Sequence, residues 1–419
     1  MSHTVELLAV GTELLLGNIA NTDGQMLSRE LSALGLNVYY HSVVGDNPAR
    51  LKAAVELARS RADIIITTGG LGPTCDDLTK QVLAEAFGKQ LVFHEESAAA
   101  IRDFFDKIGS KMTDNNLQQA WLPEGCTVLE NRWGTAPGCA FQSGDNYVVM
   151  LPGPPRECMP MFREVAAPWL AKLSEGVIRS RTLRIFGMGE SRVEDLLRDR
   201  MNGLTNPTLA PYAKTGEVEL RITAKADTAE EADALIAPVE EEVRGLLGDL
   251  VYGADVSSLE QVVLSLLKER GMTLGTAESC TGGLMAKRMT DLSGASAVFK
   301  GGVVSYTNEV KMNVLGVPAD LLEEQGAVCA DVAKAMAEGA RRTLGCDLAL
   351  SATGVAGPDS DDRGNPVGLV YVALAAPDGT WVRELHLAGA RDSRDRVRTT
   401  AAHHGFDMAR RWLTGLELK

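Results

Sequence analysis

The sequence predicts an α/β protein of about three domains, or of two larger ones. Its 419 residues correspond to roughly three domains of about 150 residues each. Short apolar or β-branched runs alternate with stretches whose apolar residues recur at helical spacing, which is typical of sheets covered by helices. A content of 45% hydrophobic and 23% charged residues is ordinary for a globular protein and excludes a mostly disordered, collagen-like or coiled-coil chain.

The first segment, residues 4–173, predicts a mostly parallel sheet with helices on both faces, a three-layer α/β/α arrangement. Four runs have the pattern of buried strands: Val5–Val10, Asn37–Ser42, Asp63–Thr67 and Tyr147–Leu151. Two stretches between them have helical periodicity: Asp23–Ala33 and Pro48–Ser60. The second segment, residues 181–252, is small and shows no dense polar cluster. It predicts strands at Thr182–Phe186 and Glu217–Ala226 and helices at Glu190–Arg200 and Ala229–Leu247.

The third segment, from about Val256, predicts another sheet covered by helices. The helix Ser258–Arg270 is expected to have Ser257 or Ser258 as its N-cap and Gly271 just beyond its end. Five strands are predicted: Thr273–Ala277, Gly302–Tyr306, Leu348–Thr353, Leu369–Ala375 and Val382–Leu387. A final helix is predicted over Ser393–Leu413.

The charge balance weighs against nucleic acid as a direct partner. Lys and Arg number 42 against 56 Asp and Glu, a net charge of −14, whereas phosphate neutralisation needs a basic surface. No apolar run approaches the roughly 20 residues of a membrane-spanning helix, and the N-terminus lacks the pattern of a secretory signal. Seven scattered cysteines without a C-x-x-C pair favour reduced thiols. We therefore expect a cytoplasmic protein with no membrane partner.

Several loops of the first segment have the composition of an anion site. The strand Asp63–Thr67 runs into Thr68–Thr79, whose glycines are Gly69, Gly70 and Gly72. Such a turn leaves backbone N–H groups available to phosphate at the carboxyl edge of a sheet. It lacks the Walker A ending. The alternative is a tight turn with Asp76 or Asp77 capping a helix.

Two further loops belong to the same predicted edge. Gly11–Asp23 brings Glu13, and Asn131–Gly138 adds small polar groups. Together the three loops suit a nucleotide-sized anion. Asp76 and Asp77 carry the hard oxygen ligands that magnesium-type cations prefer.

The third segment carries a candidate nucleophile. Ser279 follows a predicted strand and precedes Gly282–Gly283. At such a turn, the N–H groups of these glycines or of Thr281 can stabilise an oxyanion. The alternative is that Ser279 only caps a helix. Cys280 is a competing nucleophile, and it ranks below Ser279 because the sequence suggests no histidine partner for it.

A base is available about one helical turn beyond another predicted strand. Tyr306 ends that strand, and Lys311 follows. A serine hydroxyl is weakly nucleophilic at neutral pH. A lysine partly removed from water can accept its proton, with the tyrosine relaying or orienting it. The alternatives are a solvated helix lysine and a packed aromatic ring.

Six strings of the first segment resemble the competence/damage-inducible protein A (CinA) family and, more loosely, molybdopterin-binding domains: Gly11–Gly17, Asn21–Thr22, Val44–Asn47, Thr68–Thr79, Asn131–Gly138 and Leu151–Gly153. The resemblance implies a domain over residues 1–173 that binds a nucleotide diphosphate such as ADP-ribose and hydrolyses it with a divalent metal (magnesium, manganese or cobalt). In some members of the family the domain only binds its ligand. The implied nucleotide-binding residues are Glu13, Asn21, Asp46, Gly69, Gly70, Gly72 and Thr135, and the implied metal ligands are Asp76 and Asp77. This sequence departs from the family pattern at Asp23, Pro154 and Cys158.

The string Phe186–Ser191 resembles the middle module of the same family, which implies a small KH-like α+β domain over residues 177–253. A KH domain that binds nucleic acid uses a G-x-x-G loop with basic neighbours. Gly187–Glu190 has another spacing and ends in an acid, so we expect a spacer or dimerisation module.

Four strings of the third segment resemble the CinA C-terminal domain, which is similar to stand-alone nicotinamide mononucleotide (NMN) amidohydrolases: Thr276–Gly283, Gly302–Lys311, Gln325–Val328 and Ser351–Asp359. The implied α/β/α domain covers residues 257–419. The family's catalytic residues fall on Ser279, Tyr306 and Lys311. The resemblance implies attack of Ser279 on the carboxamide of NMN, loss of ammonia and hydrolysis of the acyl-enzyme to nicotinic acid mononucleotide, without a cofactor.

The phosphate of such a substrate requires local positive charge. Four arginines lie at the start of the last predicted helix: Arg391, Arg394, Arg396 and Arg398. Backward alignment from Val397–Arg398 places Arg394 on the family arginine, whereas Arg391 and Arg396 equally fit a solvated helix face. The implied substrate-binding residues are Glu278, Thr281, Gly282, Gly283, Thr353, Gly354, Gly357, Arg394 and Arg398.

The resemblance therefore implies a two-activity nucleotide enzyme of NAD salvage, expected to be a homodimer. The alternative function is a non-catalytic, nucleotide-sensing adaptor linked to DNA uptake or repair.

Overall fold

The protein is described by a computed structural model over residues 3–173, 176–387 and 393–418. The chain divides into two compact units. One contains residues up to Ser180 with Ala224–Leu235, and the other contains Arg181–Thr223 with the residues from Ile236 onward. Within the described ranges, no helix is both long and apolar enough to cross a bilayer.

The N-terminal domain is built on a six-stranded sheet. Its elements are β1 (Thr4–Val10), α1 (Thr12–Leu15), α2 (Thr22–Ala33), β2 (Asn37–Val44), α3 (Pro48–Arg61), β3 (Ile64–Thr68), α4 (Thr79–Ala86), β4 (Leu91–Phe93), α5 (Glu95–Lys107), β5 (Trp121–Pro123), β6 (Thr127–Leu129), β7 (Gly138–Ser143), β8 (Asn146–Leu151), α6 (Pro155–Met161) and α7 (Ala167–Leu170). The sheet order is β2-β1-β3-β8-β7-β6. The first four strands are parallel, and β7 and β6 are antiparallel, so the predicted mostly parallel sheet is confirmed.

The central strand β3 explains the three layers. Ile64, Ile65 and Ile66 are all fully buried, and successive side chains of a strand point to opposite faces. Ile64 and Ile66 belong to a core that includes Leu27 of α2. Ile65 belongs to a second core that includes Val55 of α3. Helices therefore cover both faces of the sheet, as predicted.

The middle domain is a small α+β unit. Its elements are β9 (Val177–Ile185), α8 (Glu190–Gly203), β10 (Thr208–Lys214), β11 (Glu217–Ala226), α9 (Ala229–Leu247) and β12 (Val251–Ala254). The strand order is β10-β11-β9-β12, with β10 antiparallel to β11 and β12 antiparallel to β9. The strands β10 and β12 were not predicted.

The expectation that this domain lacks a dense polar cluster is wrong. Nη1 of Arg184 lies 2.9 Å from Glu217 and 2.8 Å from Glu219, and the Tyr252 hydroxyl donates to Glu217. These side chains come from β9, β11 and β12, which are far apart in sequence. Their proximity depends on strand pairing, so no local sequence pattern predicts it.

The C-terminal domain is built on a five-stranded sheet of order β14-β13-β15-β16-β17. Its elements are α10 (Leu259–Arg270), β13 (Leu274–Glu278), α11 (Leu284–Thr290), β14 (Phe299–Val304), α12 (Asn308–Leu315), α13 (Ala319–Gln325), α14 (Ala330–Leu344), β15 (Leu348–Gly354), β16 (Leu369–Ala376), β17 (Gly379–His386) and α15 (Ser393–Thr414). β13 is parallel to β14 and β15, and β16 is antiparallel to β15 and β17. Ser258 caps α10 by accepting the N–H of Gln261, and Gly271 ends the helix at φ 63°, both as predicted.

The long helix α15 connects the sheet with the middle domain. Val397 and Phe406 lie in the core beneath the sheet. Phe186 of the middle domain meets His404 edge-on, with ring centroids 4.9 Å apart, and Arg410 donates to the carbonyl of Asp249. Packing at both sides fixes the helix that carries the predicted phosphate-binding arginines.

Candidate functional site

Ser279 lies directly after β13, at the carboxyl edge of the C-terminal sheet. Its N–H donates to the Ala352 carbonyl of β15 over 2.9 Å, which continues the pairing of the two strands by one residue. The side chain is half-buried. The hydroxyl is therefore held in place by the sheet and lies at the edge where open α/β sheets bind ligands.

The turn after Ser279 is the candidate oxyanion site, and the N–H groups of Cys280 and Thr281 in this turn lie against the Cys280 thiol. Gly282 and Gly283 have φ values of 59° and 90°, which favour glycine. The N–H of Gly282 donates to the Ser279 carbonyl. Within the described part of the chain, the N–H groups of Cys280, Thr281 and Gly283 donate to no backbone carbonyl. Such donors beside a hydroxyl can stabilise negative charge on a substrate oxygen.

Lys311 is the basic partner of Ser279. Its Nζ lies 3.2 Å from Ser279 Oγ, and it donates to the carbonyls of Ser305 (2.7 Å) and Tyr306 (3.4 Å). The side chain is 1% exposed, and burial lowers the pKa of the amine from 10.5 to about 8. In the neutral form, two N–H groups of the amine donate to the two carbonyls, and its lone pair can accept the proton of the Ser279 hydroxyl.

Cys280 is a poor competitor for the nucleophile's role. The residue is 6% exposed, and burial raises the pKa of its thiol to about 12. A thiol reacts as the thiolate, which is scarce at neutral pH in this environment. The local chemistry therefore favours Ser279.

Tyr306 contacts Lys311 through its backbone carbonyl. The predicted strand Gly302–Tyr306 is wrong at its end, because β14 stops at Val304. The Tyr306 side chain is 63% exposed, and its backbone carbonyl, not its ring, accepts the bond from Lys311. No hydrogen bond of its hydroxyl to Ser279 or Lys311 occurs among the described residues, so the geometry does not support a proton relay through it.

Glu278 is a buried structural carboxylate. It is fully buried, and it accepts the N–H groups of Met285 (3.0 Å) and Ala286 (2.8 Å) in the first turn of α11. Its contacts thus stabilise the turn that carries Ser279. Thr281 is also fully buried, and its Oγ1 has no hydrogen-bond partner.

We expect Glu278→Gln to loosen the start of α11. The amide that replaces one oxygen cannot accept an N–H group, and a buried donor left without a partner costs about 1–3 kcal/mol. Hydrogen–deuterium exchange of the peptide with Met285 and Ala286 should therefore accelerate about tenfold. Glu309→Gln, at an exposed position of α12, is the control. Equal exchange in both variants would contradict the capping role.

Two predicted arginines of α15 bind the loops around the site. Arg398 donates to the Thr281 carbonyl over 2.7 Å, and Arg394 donates to the Gly357 carbonyl over 2.6 Å. Gly357 is buried at φ 89°. Arg391 lies outside the described residues.

The predicted residues at the end of β15 are largely internal. Thr353 is 1% exposed and donates its hydroxyl to Ala327. Gly354 pairs with Val370 of β16. A Cβ at Gly354 would lie 2.6 Å from the Leu369 carbonyl oxygen, so glycine is needed there for strand packing.

The N-terminal domain has a cavity of about 570 Å³ at the carboxyl edge of its sheet. Eight of the predicted nucleotide and metal residues line it: Glu13, Asp46, Gly69, Gly70, Gly72, Asp76, Asp77 and Thr135. Gly69 and Gly70 have φ values of 91° and 66°, and a Cβ at either would lie within 2.2 Å of a neighbouring oxygen. The sequence thus brings together one cavity from four separate loops.

Asn21 is the predicted nucleotide residue that does not line this cavity. Its side chain accepts the N–H of Gly24 over 2.9 Å and caps α2. An Asn before a helical run is a common N-cap, and that interpretation explains the residue without a ligand.

The carboxylates of the cavity have the chemistry of a divalent-cation site. Asp76 and Asp77 line it, although one Asp77 oxygen already accepts from the N–H and hydroxyl of Thr74. In the ranges described, no group of three or more His, Cys, Asp or Glu side chains is placed to hold a metal. Magnesium is commonly bound by one or two carboxylates together with substrate phosphates. The donor set therefore fits a cation that binds jointly with a phosphate ligand.

Sequence reasoning missed three polar residues near this cavity. Gln119 and Glu157 line it at 2% and 8% exposure, and Gln119 Oε1 has no hydrogen-bond partner. Lys80 is buried, and its Nζ donates to the Gln119 carbonyl over 2.7 Å. Burial lowers the pKa of this lysine to about 8. Their sequence surroundings give no signal, because the burial of each depends on elements distant in the chain.

Comparison with known proteins identifies the relatives of the chain. Three family models match it: a probable molybdopterin binding domain over residues 6–172, a damage-inducible protein CinA KH domain over 180–253, and a CinA C-terminal domain over 256–413. A CinA-like protein of Dictyoglomus thermophilum is 50% identical over 411 residues, covering 98% of this chain and 99% of its own length. The chain belongs to the CinA family.

Two further proteins are similar to this chain. A CinA-like protein of Dictyoglomus turgidum is 49% identical over 98% of this chain and 99% of its own length. The crystal structure of the competence damage-inducible protein A from Klebsiella pneumoniae is 31% identical, with a TM-score of 0.36, and the match covers 38% of this chain and 97% of that one. The three CinA domain types account for the three sheets described above.

Proposed function

We propose that the C-terminal domain, residues 257–419, hydrolyses the carboxamide of NMN to nicotinic acid mononucleotide and ammonia. The observation that carries the proposal is the 3.2 Å approach of the buried Lys311 amine to Ser279 Oγ, beside a turn in which, among the described residues, the N–H groups of Cys280, Thr281 and Gly283 donate to no backbone carbonyl. A hydroxyl, a base of lowered pKa and oxyanion donors are the groups that acyl transfer requires.

The proposed reaction uses Lys311 first as a base and then as an acid. Neutral Lys311 takes the proton of Ser279 as Oγ bonds to the carboxamide carbon, and the carbonyl oxygen becomes an oxyanion held by N–H groups of the turn. The Lys311 ammonium then protonates the leaving nitrogen, and the C–N bond breaks to release ammonia. Water, deprotonated by Lys311, attacks the acyl-enzyme, and Ser279 regains its proton. No cofactor is needed.

Tyr306 is the third residue of the proposed catalytic set. Its exposed ring is available to a substrate, whereas its hydroxyl lies outside hydrogen-bond reach of both catalytic partners. If the Tyr306 hydroxyl contacts the substrate or orients the proton, Tyr306→Phe should be slower than the parent enzyme. Contact through the ring alone would leave that variant active.

We expect Arg398→Met to weaken substrate binding more than turnover. A charge-assisted hydrogen bond contributes about 1.5–3 kcal/mol, so loss of a phosphate contact should raise the KM for NMN about tenfold or more, with kcat much less affected. Steady-state kinetics of ammonia release measures both constants. Arg396→Met, at an exposed position of the same helix, is the control. A fall in kcat at constant KM would contradict phosphate binding by Arg398.

Incubation of the purified protein with NMN tests the proposed function, with the product identified by mass spectrometry. Nicotinic acid mononucleotide and ammonia are the expected products. The alternative, a non-catalytic adaptor linked to DNA uptake or repair, predicts no turnover and salt-dependent DNA binding. Absence of turnover would reject the deamidase.

We also propose that the N-terminal domain, residues 1–173, binds a nucleotide diphosphate such as ADP-ribose and hydrolyses it with a divalent metal. The glycine turn and carboxylates of the 570 Å³ cavity support this. Asp76 and Asp77 would hold the cation, which would neutralise phosphate charge. The N–H groups of the turn would donate hydrogen bonds to the phosphates, and the cavity would orient the diphosphate.

Metal removal should separate the two activities. EDTA is expected to abolish ADP-ribose hydrolysis and to leave NMN deamidation unchanged, because only the first is proposed to need a cation. Restoration by magnesium, manganese or cobalt identifies the metal. Asp76→Asn should reduce ADP-ribose hydrolysis at least about tenfold. If ADP-ribose binds but is not cleaved with any of the three metals, this domain is a sensor and not a hydrolase.

The proposed setting is a cytoplasmic homodimer without direct nucleic-acid or membrane partners. All seven cysteines are free, which suits a reducing compartment. Sedimentation equilibrium measures the oligomeric state.

A further inference from the structure

A second, smaller cavity lies beside the first in the N-terminal domain. It has a volume of about 240 Å³ and is lined by residues of α5, by Val128 of β6 and by the turn from Asn131 to Pro137. Thr135 lines both cavities. Asn131 lines the smaller one and donates its Nδ2 to Glu157 of the larger one over 2.9 Å. The two cavities therefore share one wall.

The lining of the smaller cavity is unsuited to phosphate. Its apolar residues are Ala100, Ile101, Val128 and Pro137, and its charged residues are the carboxylates Glu96 and Glu130. No lysine or arginine is among its lining residues. Glu130 is paired with Arg132, which donates to its Oε2. A carboxylate accepts N–H groups at two oxygens, so the carboxylates together with the apolar lining fit an uncharged, flat ring with amino groups.

His94 adds a flat wall whose orientation is fixed. Its Nδ1 lies 2.9 Å from Ser97 Oγ, and its Nε2 lies 2.7 Å from Glu96. Bases stack on aromatic side chains, histidine among them. A ring held at both nitrogens is prearranged for such a contact.

The volume fits one part of a ligand. Pockets that hold a whole drug-sized ligand measure roughly 300–1,000 Å³, and the smaller cavity lies below that range. The larger cavity has the glycine turn with its N–H groups. A single ligand with a charged end and an uncharged end would fit the two adjacent cavities.

We propose that the smaller cavity is the nucleobase subsite for a nucleotide whose phosphates bind in the larger cavity. This inference rests on the proposed nucleotide binding of the N-terminal domain and adds where the base lies and which residues select it. A base with exocyclic amino groups, such as adenine, matches the carboxylates.

The test fills the smaller cavity from its exposed side. Ala100 is an exposed residue of α5 that lines the cavity, and its neighbour Ala99 is equally exposed and lines neither cavity. Ala100→Trp should occupy the space of the base, and Ala99→Trp is the matched control. Ala100→Phe is a smaller substitution that serves if the tryptophan variant does not fold. Titration calorimetry with magnesium measures binding of ADP-ribose, AMP and inorganic pyrophosphate.

We expect Ala100→Trp to bind ADP-ribose and AMP at least about tenfold more weakly, with pyrophosphate affinity unchanged and Ala99→Trp like the parent protein. Equal ADP-ribose affinity in both variants would overturn the base subsite while leaving nucleotide binding intact. Parallel weakening of pyrophosphate would also overturn it, because the substitution would then act on the phosphate site. A parent protein that binds pyrophosphate but neither nucleotide would instead reject the proposed nucleotide function.

Discussion

Ser279→Ala is expected to reduce NMN deamidation at least about a thousandfold, since removal of a catalytic serine leaves only oxyanion stabilisation and binding. Among the described residues, the half-buried hydroxyl makes one side-chain hydrogen bond, the 3.2 Å bond with Lys311. The backbone bond from Ser279 to Ala352 does not involve the side chain. The variant should therefore fold like the parent and still bind NMN, which separates loss of chemistry from loss of structure.

Cys280→Ala is the matched control for the nucleophile. The thiol is adjacent in sequence, and burial raises its pKa to about 12, so its removal should leave most of the activity. Ammonia release measures turnover, and calorimetry with NMN measures binding. If Ser279→Ala kept more than about a tenth of the parent rate, or if Cys280→Ala were the inactive variant, the assignment of the serine would be wrong.

The four parallel strands of the first sheet, the five strands of the third and six of the helices could be predicted because their signals are local. The run Ile64–Thr68 is buried on both faces, and Pro48 begins α3 directly after its cap, Asn47. Ser279 and the glycines after it are contiguous, so their turn is visible in the sequence. Lys311 was predicted as the base because it follows another strand by about one helical turn, and the family resemblance paired it with Ser279.

The rest depends on contacts between distant residues. The end of β14 was misplaced by two residues, and the predicted proton relay through the Tyr306 hydroxyl has no hydrogen bond to Ser279 or Lys311 among the described residues. Glu278 was predicted as a substrate contact, yet its carboxylate accepts N–H groups of α11, which no spacing reveals. Gln119 gave no signal, because only the fold buries it beside the cavity.

Lys311→Met is expected to reduce deamidation by about 10²–10⁴-fold, the usual contribution of a general base. Methionine approximates the shape of the buried stem and has no lone pair of comparable basicity. Lys287→Met, at an exposed position of α11 with 67% of the side chain accessible, removes the same charge without touching the site. A near-normal rate in Lys311→Met at pH 7 would refute the role of the amine.

The pH profile gives Lys311 a second signature. With a pKa lowered to about 8, kcat/KM should rise about tenfold per pH unit below pH 8 and level off above it, because the neutral amine is the base.

The free energy of unfolding should also depend on the protonation of Lys311. Between about pH 8 and 10.5 the unfolded chain holds a proton on this amine that the folded chain has lost, so unfolding becomes less favourable as pH rises through that window. In Lys311→Met, the contribution of this amine to the increase in the free energy of unfolding with pH should be absent. The similar contribution of Lys80 should remain in both proteins. A kinetic profile unchanged by the substitution would assign the titration to another group.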